Sequence, residues 1–377
     1  MTKFLKILLL IIVLFVLSVS AIQQQFKIFP ENFPLYGSFN TAKDTTLTFE
    51  NWFSREYQDK KEGYLNETFG FRNFLVKLNN QIDFSVYEYI NVGDVFKGKN
   101  NYLYSRKFFN NYAGRTYRGN GRVDSVFNDL KKLNDWLMVR NKKLLVCFTP
   151  SKESFYPEFL PDSCLPYIRK ENYYSMYRQK LIKSNIPFLD FNAYFQKIKR
   201  EAPYPLFTQG AVHWTTYGAY LALDTLLRRT SFEINKKINL IAFKSYQLSD
   251  TAREADDDIS KAMNLLKNVN SQKLAYPVID YVYNQDSCYK PKALIIGDSF
   301  FYGLNNTWIP LSVFSKESYF LYYFQLAISY EPQKKDSKVS DMDFVKELEN
   351  TDIIILFFTV GNLDNFPYST ARMIIKN

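Results

Sequence analysis

A serine and a histidine stand out by their placement. Gly297-Asp298-Ser299-Phe300 directly follows the apolar run Ala293-Leu294-Ile295-Ile296. A glycine at the end of a buried strand lets the chain turn sharply, and the next side chains are then presented at the carboxyl edge of the sheet, where open α/β folds bind ligands. A serine hydroxyl there is a nucleophile if a base near neutral pKa reaches it. His213 is the sole histidine of the chain, so any Ser–His mechanism must use it. It lies in Gly210-Ala211-Val212-His213-Trp214, just ahead of an amphipathic segment. Each residue alone has an ordinary reading, a turn serine and a structural histidine; the pairing points to acyl transfer.

Other residues fall near the same expected edge. Asn362, in Thr359-Val360-Gly361-Asn362-Leu363, follows an apolar run and is either an oxyanion donor or a turn-closing loop residue. Trp214 is either a sugar-stacking ring or core. Lys152 and Tyr156 follow another apolar run and are either acceptor contacts or solvated loop positions. Asp298 suits a bond to local backbone better than a reaction.

The elements that must position these groups alternate. Short runs apolar on both faces are expected as buried strands at residues 142–150, 186–191, 292–297, 318–324 and 352–360. Residues 171–183 and 215–229 are expected as helices. The second has a stripe of Ala219, Ala222, Leu223, Leu226 and Leu227, with Thr215 placed to cap it. Such alternation predicts an α/β fold with a mostly parallel sheet covered on both sides. Residues 49–92 are expected to be helical, and 233–290 to hold an insertion in which 255–269 forms a helix. The boundaries so drawn are 1–22, a signal anchor or signal peptide; 23–97, a tether and helical region; and 98–377, the α/β domain.

Lys3 and Lys6 precede an unbroken apolar run from Ile7 to Leu17 that continues to Ile22. A positive flank and an apolar core are an export signal, long enough to span a bilayer. Ser18-Val19-Ser20 offers a cleavage site near Ser20, so anchor and cleaved signal are both open, with an anchor favoured. The rest of the chain is then extracytoplasmic. The 48 basic and 38 acidic residues give +10, scattered rather than in blocks. That argues against nucleic acid and fits a solvated basic surface. Cys147, Cys164 and Cys288 make no C-x-x-C pair, and one histidine is too few for a Cys/His zinc site. Cys147 reads as buried; Cys164 and Cys288 are the pair that an oxidising compartment would allow.

The order of motifs resembles the SGNH-hydrolase-like domain of the alginate O-acetyltransferases of the AlgX/AlgJ type. Gly98-Lys99-Asn100-Asn101-Tyr102-Leu103-Tyr104 is similar to the start of that domain, and the segment Pro150 to Pro161 (PSKESFYPEFLP) to its P-x-K-x-x-x-Y-P-E-x-L-P stretch. Phe69-Gly70-Phe71-Arg72 resembles an element of the preceding helical region, and the resemblance runs over about residues 50–370. It implies a flavodoxin-like three-layer sandwich, Ser299 as nucleophile and His213 as base. It further implies acetylation of exopolysaccharide or envelope-glycan hydroxyls, a donor delivered by a multi-pass membrane-bound O-acyltransferase, and no metal or organic cofactor.

One departure bears on mechanism. The family pattern is Asp-x-His-Trp, and here Ala211 stands at the acid position. Losing an orienting carboxylate can cut turnover by about 10⁴. Three outcomes stay open: a dyad oriented by a backbone carbonyl, a remote acid such as Asp190, or a silent glycan-binding or scaffold domain. A carbohydrate esterase with the same site is a further alternative.

Overall fold

The computed structural model describes residues 3–30, 33–37, 42–284, 287–368, 370, 371 and 374. They divide into two compact units. The first comprises residues 1–93 with 260–268, and the second residues 94–259 with 269–377.

The first unit is helical. Lys3–Phe26 is one apolar helix, about 36 Å long at 1.5 Å per residue, and its side chains from Phe4 to Leu17 are largely exposed. Phe49–Phe53, Glu56–Thr68 and Arg72–Val86 follow. Within this unit the 260–268 segment is tied down by Asn80, whose Nδ2 donates to the Met263 carbonyl at 2.9 Å.

In the second unit the strands are, in chain order, β1 (Val95–Lys97), β2 (Leu103–Ser105), β3 (Lys143–Thr149), β4 (Phe188–Asp190), β5 (Ile241–Ser249), β6 (Leu274–Tyr281), β7 (Ala293–Gly297), β8 (Tyr319–Tyr322), β9 (Leu326–Ser329), β10 (Ser337–Lys338) and β11 (Ile353–Thr359). Seven of them form one sheet in the order β10-β9-β8-β7-β11-β3-β4. The pairs from β8 to β4 are parallel, and β9 and β10 add an antiparallel edge. The five expected strands are β3, β4, β7, β8 and β11.

β11 is the middle one of the five parallel strands; every one of its residues is apolar or small enough to bury, and all are buried. Its alternate side chains feed two cores. Ile353, Ile355 and Phe357 join Leu145, Cys147 and Ile295 under Leu223, Leu226 and Leu227 of the Thr216–Ile234 helix. Ile354, Leu356 and Phe358 join Val146, Phe148 and Ile296 under Leu130, Leu133 and Leu137 of the Asn120–Val139 helix. This is the three-layer, mostly parallel α/β arrangement. The Asn120–Val139 helix was not anticipated, although Val123, Leu130, Leu133 and Leu137 carry helical spacing.

The expected insertion contains the antiparallel β5–β6 hairpin. The expected helix over 255–269 is corrected: a 3₁₀ turn, Glu254–Asp257, leads into a short α-helix, Asp258–Ala262. Asn264, with φ of 51°, takes a left-handed conformation that ends helical geometry. All three cysteines are free thiols, so Cys164 and Cys288 are unpaired.

Candidate functional site: a serine, a histidine and an unforeseen aspartate

The Ser299 turn is built by close packing at the end of β7. A Cβ on Gly297 would fall 2.6 Å from the Phe357 carbonyl oxygen of neighbouring β11, so only glycine lets the two strands meet there. Asp298 follows, fully buried. Its Oδ1 accepts from the Phe300 N–H at 3.1 Å, and its Oδ2 accepts from the Thr359 N–H at 2.8 Å and Asn362 Nδ2 at 3.2 Å. Burial pushes the Asp298 carboxyl up from its ordinary value, against the pull of those donors. Asp298 therefore caps the Ser299–Asn305 helix and ties it to the end of β11. Ser299 begins that helix, where N–H groups have no intrahelical acceptor.

His213 stands on the same core as Ser299: Trp214 beside it and Phe300 beside Ser299 belong to one apolar cluster. Thr215 Oγ1 accepts from the Gly218 N–H at 3.0 Å and caps the Thr216–Ile234 helix, while its own N–H donates to the Leu206 carbonyl. This fixes the chain two residues after His213. The imidazole lies over Phe300, ring centroids 5.0 Å apart. His213 Nε2 is 2.8 Å from Ser299 Oγ, and His213 Nδ1 is 2.6 Å from Asp258 Oδ2.

Asp258 is the residue that sequence reasoning missed. Its other oxygen accepts from the Val212 N–H at 2.8 Å, and the Ile259 N–H donates to the Gly210 carbonyl at 3.1 Å. Asp258 thus orients the ring and holds the loop that carries it. Since a carboxylate can only accept, Nδ1 donates to Asp258, and Nε2 is left to accept the Ser299 proton. Burial alone would raise the Asp258 carboxyl; the hydrogen bond and charge of His213, helped by the Val212 N–H and Lys152, outweigh it and hold the carboxyl below its ordinary value.

The neighbouring acids anchor the same segment. Asp256 accepts from Thr216 N at 2.7 Å and Thr216 Oγ1 at 3.1 Å, and Asp257 accepts from Asn270 Nδ2 at 2.7 Å. Asp256-Asp257-Asp258 was the available signal, three acids in a row within an irregular insertion. No spacing rule links them to His213.

The other candidates take different places. Asp190 is not the orienting acid. It caps the Phe191–Ile198 helix through the Ala193 N–H at 2.9 Å, and it pairs with Arg178 and Tyr174. Ala211 is fully buried and its methyl group offers nothing to orient His213. Trp214 is 3 % exposed and packs on Phe195, Phe300 and Phe357, which makes it core rather than a stacking platform. Asn362 is fully buried with its amide on Asp298, so it supports the Ser299 turn.

Lys152 is buried too. Its Nζ donates to the Leu103 carbonyl at 2.7 Å and the Gln209 carbonyl at 3.0 Å. Next to it, Glu153 accepts from the Ser105 N–H at 3.0 Å. Burial pushes the Lys152 ammonium down and the Glu153 carboxyl up, each opposed by the other's charge. Tyr156 packs against Tyr102, Phe155 and Phe159 beneath the Lys199 ammonium. Neither Lys152 nor Tyr156 lines the cleft.

Ser299 and His213 open onto a cleft of about 560 Å³. Among its lining residues are Tyr302, Trp308, Tyr322, Gln247, Arg253 and Tyr276. Among the described residues, no group of three or more His, Cys, Asp or Glu side chains is arranged to hold a metal ion.

A family model described as the SGNH hydrolase-like domain of the acetyltransferase AlgX matches residues 95–300, just over half of the chain. Among solved structures, the chain is similar to the O-acetyltransferase domain of Pseudomonas putida AlgJ at 14 % identity and a TM-score of 0.46, covering 75 % of this chain and 98 % of that one. It is similar to Pseudomonas aeruginosa AlgX at 13 % identity and a TM-score of 0.38, covering 70 % and 55 %. It is also similar to Bacillus cereus PatB1 at 11 % identity and a TM-score of 0.41, covering 71 % and 96 %. No curated protein matches the chain.

Proposed function

Because this chain belongs to the family of SGNH hydrolase-like domains of the AlgX acetyltransferase type, we propose that it is an O-acetyltransferase that places acetyl groups on hydroxyls of an exopolysaccharide or cell-envelope glycan. The observation that carries the reading is the line from Asp258 through His213 to Ser299, with contacts of 2.6 and 2.8 Å. A silent binding domain was suggested by Ala211 in place of an acid. A carboxylate on Nδ1 from elsewhere in the chain supports an enzyme over that alternative.

The chemistry follows from the proton positions. Ser299 Oγ attacks the acetyl carbonyl of the donor while His213 Nε2 takes the hydroxyl proton. The tetrahedral intermediate collapses, the donor's leaving oxygen takes that proton, and an acetyl ester remains on Ser299. A glycan hydroxyl then attacks this ester and gives its proton to His213, which returns it to Ser299 Oγ. Asp258 keeps the tautomer fixed and balances the imidazolium in both halves. The Ser299 N–H, in the first turn of its helix, is placed to donate to the developing oxyanion.

The apolar Lys3–Phe26 helix, behind Lys3 and Lys6, supports an extracytoplasmic domain on a membrane anchor, or a released one if the segment is cut near Ser20. From that side of the membrane, cytoplasmic acetyl donors are out of reach. A multi-pass membrane-bound O-acyltransferase is the partner that would supply acetyl groups.

Incubating the full chain in detergent micelles with an acetyl ester and oligosaccharides tests the reading. Acetylated sugar, detected by mass spectrometry and lost in Ser299→Ala, is the expected result. Release of acetate alone would make the protein an esterase, and no Ser299-dependent product would overturn both.

A further inference from the structure

Trp308 has its ring in the open although it is large and apolar. It is 73 % exposed, lines the cleft that holds Ser299 and His213, and sits at φ of 63°. A bulky residue in the left-handed region is strained and has to be held there by its surroundings. The position is held by the Trp308 N–H donating to the Asn305 carbonyl at 3.1 Å, and by the Ile309–Val313 helix that starts next to it with Pro310 in its first turn.

Tyr302 lines the same cleft, one helical turn after Ser299 and 41 % exposed. Its ring lies 5.4 Å from that of Tyr322, also in the lining. Polar groups share the cleft: Arg253 lies over Tyr276, 4.3 Å from the ring centroid, and its Nη1 donates to Gln247 Oε1 at 3.2 Å. Exposed aromatic faces beside fixed hydrogen-bonding groups suit a ligand that is apolar on its ring faces and hydroxylated at its rim. A pyranose has that character.

We propose that Trp308 and Tyr302 form the acceptor subsite, stacking the sugar whose hydroxyl is presented to Ser299, with Arg253 and Gln247 reading its polar rim. The inference rests on the glycan-acetylation reading and adds the residues that select the acceptor. Both aromatics follow Ser299 within nine positions of the chain, so the turn that sets the nucleophile also sets the platform.

The test is calorimetric titration of the full chain in detergent micelles with hexasaccharides of β-1,4-linked glucose, N-acetylglucosamine and mannuronate. At least one should bind, Trp308→Ala should weaken that Kd by about tenfold or more, and Trp308→Phe should recover most of the loss. Thermal melting of Trp308→Ala should stay near wild type, because the ring is solvent-exposed, which separates lost binding from misfolding. Binding by none of the three sugars, or an unchanged Kd in Trp308→Ala, overturns the subsite. Fluorophosphonate labelling of wild-type Ser299 is read separately, so failure of the nucleophile and failure of the subsite are distinguishable.

Discussion

Two segments meet at His213, and they are built on different terms. The Ser299 turn is an extension of the sheet: Gly297 packs against β11, and Asp298 is bonded to Thr359 at the end of that strand and to Asn362 just past it. The Asp258 segment leaves the sheet within the excursion between β5 and β6 and is held by side chains. Thr216 holds Asp256, Asn270 holds Asp257, and the Val212 amide holds Asp258. The first segment inherits its geometry from strand register. The second is held by side-chain hydrogen bonds with residues outside the segment, elsewhere in the chain.

Ser299→Ala is the largest break to attempt. Acetyl-ester turnover and fluorophosphonate labelling should fall to background, by about 10⁶ in kcat where a serine nucleophile acts in a unit with its base. Asp258→Asn comes next. It keeps the shape and loses the acceptor-only carboxylate, so kcat should drop by about 10⁴, as measured with an acetyl ester. A fall of less than tenfold would mean that the docked acid is ornamental and the sheet-built half works alone.

The same variant sharpens the comparison through pH. The folded Asp258 carboxyl lies below its unfolded value, so its contribution to stability is present above the unfolded pKa, about 4, and is lost as pH falls through the folded one. The gap in melting temperature between wild type and Asp258→Asn should not shrink between pH 7 and 5, and should close below about pH 4.

Lys152→Met probes the floor beneath the His213 loop. It leaves the Leu103 and Gln209 carbonyls without their donor and Glu153 without a counter-charge, and should cost about 3–5 kcal/mol of stability by chemical denaturation. The smallest effect belongs to Asp190→Ala. Loss of a helix cap should cost about 1 kcal/mol, with acetyl-ester turnover within about twofold of wild type. Strong inactivation there would return Asp190 to the list of orienting acids.

Much of the Ser299 half was legible because it follows from local rules. A run of apolar residues ending in Gly-Asp-Ser at a strand end predicts both the strand and the exposed hydroxyl, and β7 and Ser299 follow that rule. The other candidates were read from the same kind of proximity, each with a packing or loop role beside the functional one, and burial favours the structural role for Lys152, Trp214 and Asn362. Lys152, Trp214 and Asn362 do follow or flank the right elements, but each is spent on packing or on backbone partners. Whether a polar residue at a strand end faces solvent or the interior depends on the loops laid over it, which neighbouring residues do not encode.

The amino-acid order by itself determined the five parallel strands, the Tyr173–Ile182 and Thr216–Ile234 helices, and the serine and sole histidine as candidates, since these depend on periodicity within a few residues and on a single histidine. The tertiary structure alone decided which carboxylate completes the line. Asp258 lies 45 positions from His213, and the fold closes that loop to a 2.6 Å contact. Nothing local distinguishes it from Asp256 or Asp257, because the choice among three adjacent acids is made by the direction each side chain takes once the hairpin has packed.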